Sequence, residues 1–224
     1  MDLNFFKKSI PTLAIMGIFS VIMIYAIYSL LTPEKKLPVY NPADVNPKLV
    51  DQSLVLIRRN HKVLDFSLIN QNGETVTQQD YEGKIYVADF FFTRCMTICP
   101  VMTNNMGVLQ EEFLNDDDVK FLSHSVTPSI DSVSVLKTYA EKNGVIDSKW
   151  HLVTGDKTEI YNLGRNEYFV ENDLGIPKDI NDFLHTENFL LIDKNKHIRG
   201  IYNGLNRASI AQLITDVEAL LKEI

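Results

Sequence analysis

From Ile10 to Leu31 the chain runs 22 residues without a charged side chain, long enough to span a bilayer as one helix. Lys7 and Lys8 precede this run, and Pro33, Glu34, Lys35 and Lys36 follow it. The apolar stretch exceeds a signal-peptide core and ends without a small-x-small cleavage pattern, so it reads as an uncleaved anchor. The pattern then changes. Residues 32–60 hold Pro33, Pro38, Pro42 and Pro47 and show no sustained period, which predicts an extended tether. Val63 to Ile69 alternates like a strand, and Asn72-Gly73 turns the chain back into Glu74-Thr75-Val76 as a hairpin. Ile85 to Phe92 is a near-continuous apolar run, as expected of a central strand covered on both faces.

A helix is predicted from about Pro100 to Leu114, with the proline tolerated in its first turn. Val119 to Val126 reads as a second central strand. Asp131 is placed to cap a helix through Lys142, stopped by Asn143-Gly144. Trp150 to Thr154 is a short strand followed by a helix from Lys157, and Glu171 to Phe183 is a loop. Phe189 to Asp193 and Ile198 to Tyr202 form a hairpin turning at Lys194-Asn195-Lys196, and an amphipathic helix from Ala208 to Leu221 ends the chain. Strand, helix, strand, helix, hairpin, helix is the order of a thioredoxin-like α/β domain, with a central mixed sheet, flanking helices and an N-terminal hairpin. The expected organisation is a short tail (1–9), a single transmembrane anchor (10–31), a Pro-rich tether (32–60) and the thioredoxin-like domain (61–224).

Charge narrows the setting. Of the net charge of −7, the first 36 residues hold +2, leaving about −9 on the rest. An acidic domain without a basic cluster argues against nucleic acid and anionic lipid as ligands. The lysines flanking the anchor balance two against two, so the positive-inside rule is nearly silent. The very short N-terminal tail favours an N-inside anchor in the inner (cytoplasmic) membrane. The soluble domain is then expected to face the periplasm.

The only two cysteines, Cys95 and Cys99, sit four residues apart directly behind the central apolar run. The pair is a redox couple, a metal clamp or a structural staple. The junction of strand and helix favours negative charge on sulfur, because unpaired backbone N–H groups and the helix dipole point there, and thiolate both attacks disulfides and binds soft metals. If both residues were helical, their β-carbons would stand about 5–6 Å apart, beyond the roughly 3.5–4.5 Å of a relaxed disulfide. That spacing suits a metal better than a bridge, while leaving a distorted, easily reduced bridge open. A staple closing so short a loop removes little chain entropy.

Five histidines are candidates for a third ligand. His61 and His197 read as solvated surface groups, His151 as half-buried packing and His124 as a core histidine. His185 ends the long loop and immediately precedes a strand, the point that faces the thiol pair in a thioredoxin-like topology. Asp89, six residues ahead of Cys95 within the apolar run, is expected to be buried with a raised pKa, either as a proton relay to a thiol or as a hydrogen-bonded core carboxylate. Met102 and Met106 share a helix face and read as core. Asp116-Asp117-Asp118 reads as a solvated turn.

Asp89-Phe90-Phe91-Phe92-Thr93-Arg94-Cys95, followed after three residues by Cys99-Pro100 and then Met102, resembles the signature of the Sco/SenC copper chaperones. Gly73 to Lys84, Ser125-Val126-Thr127-Pro128 with Asp131, Trp150 with Thr154-Gly155, and His185 ahead of its strand extend the resemblance over residues 60–220. It implies a thioredoxin-like domain that binds one copper ion, Cu(I), Cu(II) or both, through Cys95, Cys99 and His185. Such a domain delivers copper to, or keeps reduced, the binuclear copper site of cytochrome c oxidase subunit II, and takes its copper from an upstream donor. In one place the chain departs from the pattern: Thr127 stands where the family usually has Asp, and the nearby His124 is a candidate to compensate. The competing expectation is a membrane-tethered thiol–disulfide oxidoreductase with Cys95 and Cys99 as its redox pair.

Overall fold

The computed structural model describes residues 3–31, 36–44, 61–170, 184 and 186–223. It divides into two compact units, Met1–Lys36 and Leu37–Ile224. The first is helix α1, Leu3–Leu31. Its stretch Ile10–Tyr28 is long and apolar enough to cross a membrane, and Ile15, Phe19 and Ile24 all stand exposed on it.

In the second unit a hairpin comes first, β1 (Ser67–Asn70) and β2 (Thr75–Thr77). Its turn is built as the Asn-Gly pair predicts. Gly73 takes φ +78°, and the Asn70 side-chain oxygen accepts from the backbone N–H groups of Asn72 and Glu74, both at 2.9 Å. The central strands are β3 (Ile85–Phe91) and β4 (Val119–Ser125), paired in parallel from Ile85↔Val119 to Phe91↔Ser125. Parallel neighbours need a crossover, and helix α2 (Cys99–Glu112) supplies it. Every residue of β3 is buried, which is why its sequence is apolar without alternation. Helix α3 (Val133–Lys142), strand β5 (Trp150–Thr154) and helix α4 (Lys157–Asn162) follow, and α4 runs on into a π-helical turn, Leu163–Glu167. The hairpin β6 (Asn188–Ile192) and β7 (Ile198–Asn203) and the helix α5 (Arg207–Lys222) complete the unit. Among the described residues seven strands form the sheet, in the order β2-β1-β5-β4-β3-β6-β7.

Two apolar layers sandwich this sheet. One joins Val87 and Phe91 of β3 to Met102, Met106 and Leu109 of α2, Leu136 of α3, Trp150, and Leu213 and Val217 of α5, and it includes both cysteines. The other gathers Phe66, Tyr81, Tyr86, Phe90, Leu122, Tyr168 and Leu184. At about 1.5–3 kcal/mol for each large apolar side chain taken fully from water, these layers dominate the fold's stability.

Three expectations change. Residues 36–44, assigned to the tether, do not stand off: Leu37 is buried, Tyr40 pairs with Ile198 at the outer edge of β7, and Arg199 donates to the carbonyls of Leu37 (2.8 Å) and Pro38 (3.1 Å). Asp131 does not cap α3, which starts behind Ser132; its carboxylate turns inward. His61 is no solvated group. Its ring packs on Phe169 at 4.7 Å, with Nε2 2.8 Å from the Glu167 carbonyl.

Candidate metal and thiol site

The sheet ends where β3 does, and Phe92 to Ile98 carry the chain from its C-terminal edge to the first residue of α2, Cys99, with Pro100 in the first turn. Proline at that position begins a helix without losing a hydrogen bond. Cys95 therefore lies in the loop and only Cys99 is helical, so the helical spacing that would separate their β-carbons does not apply. The loop folds back instead: the Cys95 N–H donates to the Phe92 carbonyl at 3.2 Å, and the Cys99 N–H donates to Cys95 Sγ at 3.3 Å. The Thr97 hydroxyl lies 3.7 Å from the same sulfur. Both thiols are unbridged and covered, Cys95 8% and Cys99 3% exposed.

Their surroundings pull them apart electrostatically. Burial works to raise the Cys95 thiol, but hydrogen bonds from the backbone and side chains of Cys99 and Thr97 outweigh it and bring the thiol down to about 7. Burial pushes Cys99 up to about 12, reinforced by negative charge on Cys95 and Asp89. The pair is thus one thiolate ready near neutral pH and one thiol held back.

Asp89 lies two residue pairs from the end of the β3–β4 ladder, opposite Ser123. Burial raises it to about 7, against a partly offsetting hydrogen bond from Ser123. The Ser123 hydroxyl in turn accepts from the Trp150 indole N–H at 2.8 Å. One Asp89 oxygen, Oδ1, has no protein partner, which sets a buried polar atom on the Cys99 side of the sheet. The expectation of a buried carboxylate with a raised pKa is met.

The loop is held from outside by Asp131, which sequence reasoning placed at a helix cap. This fully buried carboxylate accepts from Thr93 Oγ1 (2.5 Å), Ser125 Oγ (2.6 Å), Thr127 Oγ1 (2.9 Å) and the Thr93 backbone N–H (3.3 Å). It fastens the residue two places before Cys95 to the end of β4. The available signal was the hydroxyl-bearing triplet Thr93, Ser125, Thr127 at the C-terminal edges of two neighbouring strands. Tyr139 of α3 completes the rim, its hydroxyl 2.7 Å from Thr103 Oγ1.

His124 takes no part. It lies on the opposite face, stacked on Phe90 at 4.7 Å and 14°, with burial lowering its pKa to about 4; it cannot compensate at Thr127. His151 packs as expected, its Nδ1 2.8 Å from the Tyr81 hydroxyl. His197 sits beside Asp193 at the β6–β7 turn. Met102 and Met106 are core, and Asp118 lies half-exposed between Lys84 and Lys194. His185 and the loop 171–183 lie outside the described residues. Among the described residues, no cluster of three His, Cys, Asp or Glu side chains forms. The two sulfurs nevertheless make a donor set that suits a soft monovalent metal, since thiolates select Cu(I) over hard cations.

A mixed sheet with a dithiol at the junction of its first central strand and crossover helix defines a thioredoxin-like thiol protein. The SCO1/SenC family model matches residues 56–222, and the chain belongs to that family. A SCO1/SenC family lipoprotein from Bacillus anthracis superposes with a TM-score of 0.64 at 32% identity, covering 73% of this chain and 96% of its own. BsSco, described with a disulfide switch and as a member of the Sco family of cytochrome c oxidase assembly proteins, gives a TM-score of 0.62 at 28% identity over 73% and 95% of the two chains. Bradyrhizobium japonicum ScoI, solved with copper bound, shares the fold with a TM-score of 0.56 at 22% identity over 72% and 99%.

Proposed function

We propose that this chain is a membrane-anchored metallochaperone that carries one copper ion, as Cu(I), Cu(II) or both, on Cys95, Cys99 and His185. It delivers that copper to, or otherwise matures, the binuclear site of cytochrome c oxidase subunit II. The observation that carries the reading is the folded-back loop, which aims a backbone N–H at Cys95 Sγ and holds that sulfur near its thiolate form beside Cys99. The family relationship supports it, as does the copper-bound ScoI. In this reading α1 spans the inner membrane and the thiol domain works in the periplasm, receiving copper from a donor there. Copper binding by the reduced chain tests it: one ion per chain is expected, with Cys95→Ser, Cys99→Ser and His185→Ala each sharply weakening affinity. Full affinity in all three variants would refute the ligand set.

One observation favours a second reading. A thiol near 7 paired with one near 12, beside a carboxylate near 7, is also the asymmetry of an attacking and a resolving cysteine. Cys95 outside the helix removes the geometric objection to a bridge, and BsSco carries a disulfide switch. Turnover of a disulfide substrate by metal-free protein is the measurement that selects the thiol–disulfide oxidoreductase over the chaperone.

A further inference from the structure

The two cysteines that would bind copper are the most buried residues from Phe92 to Cys99. Cys95 and Cys99 are 8% and 3% exposed, while Met96 between them is 89% exposed, the highest of any large apolar side chain among the described residues. The second unit contains Met96, Met102 and Met106, and the other two are fully buried in α2. The loop geometry separates these fates. Hydrogen bonds from Cys95 N–H to Phe92 O and from Cys99 N–H to Cys95 Sγ turn the thiols inward and leave the intervening side chain on the outer surface. An apolar side chain left in water gains nothing from burial, so packing does not account for its place. What Met96 offers at that point is a soft, uncharged sulfur.

Resting on the copper reading above, we propose that Met96 is the capture ligand for Cu(I). Its thioether takes the ion from the donor at the surface and passes it to Cys95 and Cys99 beneath. A thioether is soft enough to bind Cu(I) and weaker than thiolate, so it holds the ion briefly and yields it to the covered pair. The metal remains Cu(I) throughout. The donor's ligands leave as the Cu–Sδ bond forms, that bond breaks as the Cu–Sγ bonds form, and each cysteine that enters as a thiol releases its proton to water. Because Met96 acts on the path and is absent from the final site, it accelerates uptake and release alike.

The test is stopped-flow uptake of Cu(I) from its bathocuproine disulfonate complex by the full chain in detergent, reduced and metal-free. Met96→Leu, which keeps the apolar volume and removes the sulfur, is expected to slow uptake about tenfold or more, the effect of roughly 1.4 kcal/mol on the barrier. Equilibrium Cu(I) affinity and the rate of Cu(II) uptake are expected to hold, since thioether has little preference for Cu(II). Met96→Ala should match Met96→Leu. Wild-type uptake by Met96→Leu overturns the proposal, and if Met96→Ala alone is slow, the residue is an apolar contact and the proposal also fails. Absence of stoichiometric Cu(I) binding by the unmutated chain overturns the copper reading itself and the proposal with it.

Discussion

Replacing Asp131 tests how the thiol loop is held. The carboxylate receives three hydroxyls and one backbone N–H from residues 93, 125 and 127 at 2.5–3.3 Å, in a site without solvent access. A hydrogen bond to a charged group is worth about 1.5–3 kcal/mol, and removing the shared acceptor strands its donors in the interior. Four bonds to one group are not additive, and the hydroxyls can turn toward one another. Asp131→Ala is therefore expected to cost about 3–4 kcal/mol, near the upper end for single substitutions. At about 2–4 °C per kcal/mol for a domain of this size, that is a fall in Tm of roughly 6–16 °C. Asp131→Asn keeps the volume and one acceptor oxygen, and its amide can donate to the Thr93 hydroxyl, so it should cost about half as much. Urea and thermal unfolding of the reduced protein from Leu37 onward measure both, with the urea m value unchanged if only the native state is affected. A loss below about 1 kcal/mol for Asp131→Ala, the range of an ordinary surface change, or equal losses for Ala and Asn, would refute the clamp.

Two further outcomes follow from the charges. In metal-free protein, iodoacetamide should label Cys95 with a rate that rises through an apparent pKa of about 7, its depressed thiol favouring thiolate above that pH, while Cys99 stays unlabelled because its thiol is held up near 12. Equal labelling of both cysteines at pH 7, read by peptide mass spectrometry, contradicts the asymmetry. Arg199 donates to Asp193 (2.9 Å), Glu223 (2.8 Å) and the carbonyls of Leu37 and Pro38. Arg199→Leu leaves the buried Asp193 without its guanidinium and should cost about 3 kcal/mol. It should also make residues 36–44 the first site of limited proteolysis, and an unchanged cleavage pattern shows that the arginine does not hold the strap.

The strands were legible wherever burial dictates composition. Ile85 to Phe91 is apolar because both faces are covered, and the Asn72-Gly73 turn is made by residues within two positions of it. What stayed hidden were roles decided by partners far along the chain. Leu37 and Pro38 carry no local mark of docking, because the group that receives them is 161 and 162 residues away. Asp131 stands where a helix cap belongs, and a cap and a clamp ask the same of a carboxylate, that it accept hydrogen bonds. The choice was made by Thr93, 38 residues upstream, and by Ser125 and Thr127 at the neighbouring strand end. The Cys pair shows a related limit, since a four-residue spacing has a geometry only once the helix start is known, and the chain starts that helix at the second cysteine.

Thr127 is where these threads meet. The family resemblance expects a carboxylate there, and a second carboxylate at the Thr127 position would stand against Asp131, with which Thr127 Oγ1 makes a 2.9 Å hydrogen bond. Two carboxylates in contact repel one another. With threonine the position donates instead, and three hydroxyls turn toward the Asp131 carboxylate. The substitution is thus not a gap for His124 to fill from the far face of the sheet. It exchanges an acid at the rim for a tighter hold on Thr93, and through Thr93 on the loop that carries Cys95.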